Sequence, residues 1–456
     1  MPARSIRGWY QLSSRALALV LLGTLYVSAS EPLPPLPDDP ASLETPEEDS
    51  SFDDWLSSEP GNTIPAMNLS TAENAIRIQH YGSLWANIYY ASSRTEPGSF
   101  TLWGLSEQVG GESSLDLDVR RTRLGVWIDA PPIDVGLAEY DSRGRIEFDF
   151  LGQFLTENRA AARLRHAYWE MEAEDHRFLV GQTWDVMSPL QPGTLNFSVG
   201  WAAGNIGFRR AQFLAERRFD VGDETQLLIQ GSLNQDIIAD FPTDVGIRRE
   251  SANWPVLEGR AAVSWPAAGD PQRRTMLGLS GHIGETGFDF LTAGPPPLSL
   301  PPADDVRIKT WSVNLDAEVP LSDSTTVRGE LFRGANLSPF FGGIGQGVCP
   351  CLRKPIHSQG GWIELERQWN SRLESHFGAG IDDPADEDSL LGRTQNSFVF
   401  GNLILHITER FYTGWELTWW KTLYHDTRAG QINPALLTPS LPGEAATLEW
   451  MVRYDF

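Results

Sequence analysis

Ala445-Ala-Thr-Leu-Glu-Trp-Met-Val-Arg-Tyr-Asp-Phe456 closes the chain and alternates almost without fault. Leu448, Trp450, Val452, Tyr454 and Phe456 fall on one face; Glu449, Met451, Arg453 and Asp455 fall on the other. Successive side chains of a strand point to opposite faces, so this period predicts a strand with one bulky apolar side and one charged side. The same period recurs upstream. In 307–319, Trp311, Val313, Leu315, Ala317 and Val319 oppose Thr310, Ser312, Asn314, Asp316 and Glu318. Leu227, Ile229 and Leu233 oppose Gln226, Gln230, Ser232 and Asn234, and Leu257, Ala261, Val263 and Trp265 oppose Glu258, Arg260 and Ser264.

From residue 76 onward about sixteen strand-length segments of this kind can be traced. Tight connectors, such as those between Glu172 and His176 or Asn370 and Arg372, alternate with long Gly/Pro-rich ones at 188–208, 236–253, 288–304, 337–357, 383–393 and 426–444. That rhythm is too regular for one globular sandwich. It predicts an all-β fold, a transmembrane antiparallel β-barrel whose apolar face meets lipid and whose polar face meets the lumen. A strand that ends on Phe after aromatics at every second position resembles the closing strand of bacterial outer-membrane barrels, where the terminal Phe belongs to the assembly signal. Aromatics near strand ends (Trp127, Trp265, Trp369, Trp450) are expected to form the interfacial girdles.

The N-terminus agrees. Arg4, Arg7 and Arg15 precede the apolar run Ala16–Val27 and the small residues Ser28, Ala29 and Ser30, the pattern of a signal peptide over 1–29. Twelve apolar residues are too few to span a bilayer comfortably, and no later stretch approaches about 20. Residues 30–75 are acidic and rich in Pro and Ser, and are expected to form a periplasmic segment without a core; the barrel is expected over 76–456. Much of the net charge of −24 lies in that segment, so it says little about the lumen. Aromatic residues are plentiful (17 Trp, 21 Phe, 10 Tyr), while 41% hydrophobic content would pass for a soluble protein. Lumen-facing polar residues dilute each barrel strand in this way.

The lumen face is marked by arginine; Lys309, Lys354 and Lys421 are the only lysines. Arg120-Arg121-Thr122-Arg123 opens the second strand, and parity turns Arg121 and Arg123 inward. Arg145, Arg163, Arg165, Arg210 and Arg218 face the same way from the third, fourth and sixth strands. Guanidinium stays charged at any biological pH and grips carboxylate or phosphate through a planar fork, and rings of such groups filter anions. The same arginines could instead pair with Glu147, Asp149, Glu170 and Glu216 and brace the wall; both can hold together. The uncharged connector 188–208 carries Leu195, Phe197 and Trp201 and is a candidate to fold into the lumen as a constriction, or else forms a surface loop or subunit contact.

Cys349 and Cys351 fall in a Gly-rich connector, and export makes a disulfide the default expectation. The chain shows no G-x-S-x-G and no H-x-x-x-H cluster, so no enzyme, metal or cofactor is indicated. A barrel hydrolase and an adhesive barrel with a plugged lumen remain the alternatives.

Leu164-Arg-His-Ala-Tyr168, Leu179-Val-Gly-Gln-Thr-Trp184, Pro192-Gly-Thr-Leu-Asn-Phe197 and Arg209-Arg-Ala-Gln-Phe213 resemble the DcaP-like trimeric porins of the outer membrane. The resemblance covers about a hundred residues by motif and the rest by strand pattern. It implies a sixteen-stranded homotrimeric channel, set in outer-membrane lipid and lipopolysaccharide. Arg121, Arg123, Arg163, Arg165, Arg210 and Arg218 would line its constriction and favour small anionic solutes such as dicarboxylates. Nucleic acid is not among the expected partners. Residues 30–75 show no heptads, unlike the periplasmic coiled coil that many of those porins carry.

Overall fold

A computed structural model of the chain describes residues 67–68, 76–136, 138–152, 160–222, 224–237, 247–268, 270–294, 298–388, 392–425 and 441–456. The expected signal peptide and nearly all of the acidic segment lie outside them.

Sixteen antiparallel strands close into one barrel. β1 is Arg77–Ala91; β2 runs in two pieces, Ser114–Asp118 and Arg123–Asp134; β3 is Glu139–Asp149; β4 Arg163–Glu172; β5 His176–Trp184; β6 Arg209–Asp220. β7 is Gln226–Asn234. β8 is also broken, into Ile247–Ser251 and Val256–Ala267. β9 is Asp270–Phe290; β10 Ala303–Ser322; β11 Thr325–Ala335; β12 His357–Asn370. β13 is Leu373–Pro384; β14 Arg393–Thr408; β15 Phe411–Tyr424; β16 Gly443–Asp455. Each strand pairs with the next, and β16 returns to β1 in the register Ser83↔Asp455 to Ala91↔Thr447. Every edge is therefore paired, as a membrane demands of a sheet.

Alternation sorts the side chains as the sequence predicts. Along β10, Val313 and Leu315 are about half exposed, while Thr310, Ser312, Asn314 and Asp316 are buried. Along β16, Leu448, Trp450 and Tyr454 are exposed and Glu449, Met451 and Asp455 buried. Exposed Leu, Val, Ile and Phe recur on nearly every strand. Such a band far exceeds what a water-soluble surface tolerates, and lipid is its natural cover. Trp265, Trp369 and Trp450 lie on that outer face.

Trp127 does not. It pairs with Arg145 across β2–β3, stacks under that guanidinium at 4.6 Å and meets the rings of Tyr81 and Tyr168, so it faces the lumen. Its parity with Arg123 already required this, whatever its position near a strand end.

The seam is tight where β1 meets the C-terminus. Gly82 and Phe456 exchange both backbone hydrogen bonds, at 2.9 and 3.0 Å. A Cβ at Gly82 would meet the Arg123 carbonyl and the Phe456 ring, each at 2.6 Å. Gly82→Val should therefore destabilise the barrel by about 1–3 kcal/mol through overpacking against backbone. Urea unfolding in detergent, read by loss of the folded band on unheated gels, checks it.

A lumen crossed by a loop between an arginine wall and an acidic wall

The connector 185–208 leaves β5 and returns to β6 through the interior of the barrel. Its backbone amides are held in turn by glutamates on strands spread around the far wall. Val186 N–H donates to Glu258 on β8 (3.0 Å), and Leu190 N–H to Glu330 on β11 (2.7 Å). Gly193 N–H donates to Glu364 on β12 (2.6 Å), and Leu195 N–H to Glu416 on β15 (2.5 Å). Glu416 also accepts from Thr194 Oγ at 2.6 Å and Asn402 Nδ2 at 3.0 Å. No surface loop could reach four such strands; only a path through the lumen does. Gly204 sits at φ 129°, where a Cβ would lie 2.2 Å from the Gly361 carbonyl of β12, so glycine is required for that approach.

Leu195 and Trp201 are buried in this segment, and Phe197 is half-buried beside the arginines. Trp201 stacks on Phe341 at 4.4 Å. That contact belongs to a second inward segment. Leu337 to Ile344, in the β11–β12 connector, is buried against the first loop, with Ala202 N–H bonded to the Phe341 carbonyl and Gly207 N–H to the Phe340 carbonyl, at 2.8 and 2.9 Å. Phe100 and Leu102, from the β1–β2 connector, join the same apolar cluster. The 337–357 stretch reads as an external connector by its Gly and Pro content. Its uncharged, aromatic core Leu337-Ser-Pro-Phe-Phe-Gly-Gly-Ile344 carries the same signal as 188–208 and could have flagged it.

Opposite the acidic wall stand the arginines. Arg121 Nη1 reaches Glu449 at 2.7 Å and the Leu195 carbonyl at 2.5 Å, tying the loop to the wall. Arg163 bonds to Asp149 at 2.5 Å, and Arg165 to Asp149 at 3.1 Å and to Glu147. The Phe197 ring lies 5.6 Å from the Arg121 guanidinium and 5.3 Å from that of Arg163. Arg123 is within Coulombic reach of Arg165, Glu147 and Asp149. These four gather beside the loop tip.

Of the other three, Arg145 shares Glu147 with Arg165, and the remaining two stand apart. Arg145 lies against Trp127 and bonds to Glu147 at 3.0 Å. Arg218 pairs with Glu172 near the short-turn end. Arg210 is wholly enclosed, bonded to Asp185 at 2.7 Å and to the Pro339 carbonyl at 3.1 Å with Phe340 over its face at 4.0 Å, so it braces two loops together.

Two arginines escape the alternation rule. Residues 119–122 interrupt β2, and there Arg120 and Arg121 are both buried; Arg120 pairs with Asp118 at 2.7 Å. Arg209, at the first position of β6, is also buried and lies over Trp184 at 4.3 Å and Phe208 at 5.0 Å. Arg163, Arg165 and Arg123 act on it electrostatically, yet its Nε and Nη2 meet no hydrogen-bond partner among the described residues. Arg121 Nη2 is in the same position. Around the loop tip Arg121, Arg123, Arg163, Arg165 and Arg209 thus outnumber Glu147, Asp149, Glu416 and Glu449. Cys349 and Cys351 face each other in a buried turn beyond the second inward segment, Cα atoms 5.4 Å apart.

No family model and no curated protein matches the chain. Solved structures do resemble it. The outer membrane channel DcaP of Acinetobacter baumannii aligns at 16% identity with a TM-score of 0.62, over 84% of this chain and 97% of that one. An anion-selective porin from Comamonas acidovorans aligns at 12% identity and 0.50, over 84% and 100%. OmpT of Vibrio cholerae aligns at 10% identity and 0.50, over 86% and 100%. What the chain shares with them is the barrel: its fold is that of the outer-membrane porins.

Glu416 is the loop's most heavily used anchor. Glu416→Gln should destabilise the barrel by about 1.5–3 kcal/mol, since charge-assisted bonds become neutral ones and one acceptor turns into a donor. It should also release the loop, and limited proteolysis should show new cleavage between 185 and 208.

Proposed function

We propose that the chain is a passive diffusion channel of the outer membrane that favours small anions, dicarboxylates among them. The observation that carries this reading is Arg209. A buried guanidinium with two donors, Nε and Nη2, lacking a partner is costly unless something negative visits it. It stands in a cluster where arginines exceed carboxylates, on the wall that the inward loop faces. An anion passing beside that wall finds fixed forks of N–H donors, while a cation meets like charge. The acidic wall does not cancel this preference. Glu258, Glu330, Glu364 and Glu416 are turned to backbone amides, so the loop stands between them and the arginines.

Three further features support the reading. The Comamonas porin of the same fold is anion-selective, and the Acinetobacter structure is an outer membrane channel. The apolar outer band and closed sheet suit a bilayer. Assembly as a homotrimer in lipopolysaccharide-rich lipid, after export by the 1–29 segment, completes the proposal, with Cys349 and Cys351 joined by a disulfide. Catalysis has no role in it.

Planar-bilayer recordings on purified protein under a potassium chloride gradient test the proposal. The reversal potential should report anion preference, and Arg209→Gln should lower the anion-to-cation permeability ratio several-fold without abolishing conductance. Absence of any conductance would overturn the channel in favour of a plugged barrel. Cation preference in the unaltered protein would overturn the arginine reading alone.

A further inference from the structure

On the acidic wall, away from the arginines, lies a cluster that the channel reading does not use. Glu364 and Glu366 are two apart on β12, so they share the lumen face. The register pairs Glu366 directly with His376 of β13. One donor atom from each of the three lies within 4.8 Å of the others. His376 is 6% exposed, and its Nδ1 is buried with no hydrogen-bond partner among the described residues. It points at Glu364 Oε1, 3.6 Å away and beyond hydrogen-bonding range.

We infer that Glu364, Glu366 and His376 form a divalent transition-metal site, best suited to zinc, set in the lumen wall beneath the inward loop. Imidazole with two carboxylates is a donor set that zinc accepts. In a tetrahedral shell with bonds of about 2.1 Å the donors lie roughly 3.4 Å apart. His376 and Glu364 already stand near that spacing. Glu366, with 29% of its side chain exposed, has the freedom to swing the third donor in and leaves the fourth position to water. Glu374 adds negative charge within Coulombic reach of His376.

The cation now beside the two carboxylates is Arg328 of β11, bonded through Nε to Glu364 and with Nη1 3.6 Å from Glu366. It holds the place that a metal would contest. Glu364 also accepts the Gly193 amide, and a Cβ on Gly193 would lie 2.3 Å from His376 Nδ1. An ion there would therefore pin the loop to the wall at Gly193.

Calorimetric titration of the full-length, detergent-folded protein with zinc chloride tests the inference, independently of whether the channel conducts. The expected result is a zinc-binding event that His376→Ala and Glu366→Gln each weaken at least tenfold. Arg328→Gln should tighten it by a similar factor, because a competing charge is gone, an effect that a purely bracing role would not produce. Heat-modified gel mobility confirms that each variant is folded, and the partly exposed Glu366 provides a substitution that the barrel tolerates. Zinc binding unchanged in both ligand variants, or no binding by the unaltered protein, would overturn the site.

Discussion

Four hydrogen bonds from one loop to four glutamates organise this lumen. Val186, Leu190, Gly193 and Leu195 offer amide N–H groups that no regular structure satisfies, and Glu258, Glu330, Glu364 and Glu416 offer carboxylates that a lipid-clad wall can only point inward. Each group would be expensive to bury alone, and each solves the other's problem. A hydrogen bond of this kind contributes about 0.5–1.5 kcal/mol, and about 1.5–3 kcal/mol where the carboxyl is ionised, enough for four together to fix a segment that has no secondary structure of its own. On the proposed reading, the loop so held leaves solutes to pass beside the arginines.

The pairing explains why the walls differ in kind. The carboxylates of the acidic wall serve a backbone, so their role is positional. On the arginine wall Glu147, Asp149 and Glu449 hold guanidiniums in place without matching them in number, and Arg209 rests on aromatic faces instead of on an acid. A planar fork tolerates this because it stacks on rings as well as donating to oxygen; an ammonium would not. The near-absence of lysine is thus consistent with a wall that must keep charge fixed at low exposure.

The barrel was legible in the sequence because its period is strict. Lipid outside and polar groups inside impose a two-residue repeat on every strand, and sixteen repeats leave little room for another fold. Interior strand positions such as Arg163 and Asp316 follow from parity alone. The rule fails where the strand does. Arg120 and Arg121 are both buried because β2 breaks at 119–122, and Arg209 precedes the point at which β6 settles into alternation. The loop at 337–344 was hidden for another reason: Gly and Pro signal irregular backbone but not which side of the barrel receives it. The Glu364–Glu366–His376 cluster needed a register across a turn, which spacing within one strand cannot supply.

A net charge of −24, taken alone, opposes an anion channel. Selectivity is decided over the few ångströms where a solute sheds water, and a Debye length of about 8 Å in physiological salt screens more distant charge. Eight of the 60 acids fall in residues 38–54, ahead of the barrel, and others, such as Asp386 and Glu387, are exposed in the connector after β13. Several of those inside, such as Glu147, Asp149 and Glu416, are bonded to amides or guanidiniums. At the loop tip the balance reverses, with five arginines against four carboxylates. On the proposed reading, the charge that a passing solute meets is the local one, and it is positive.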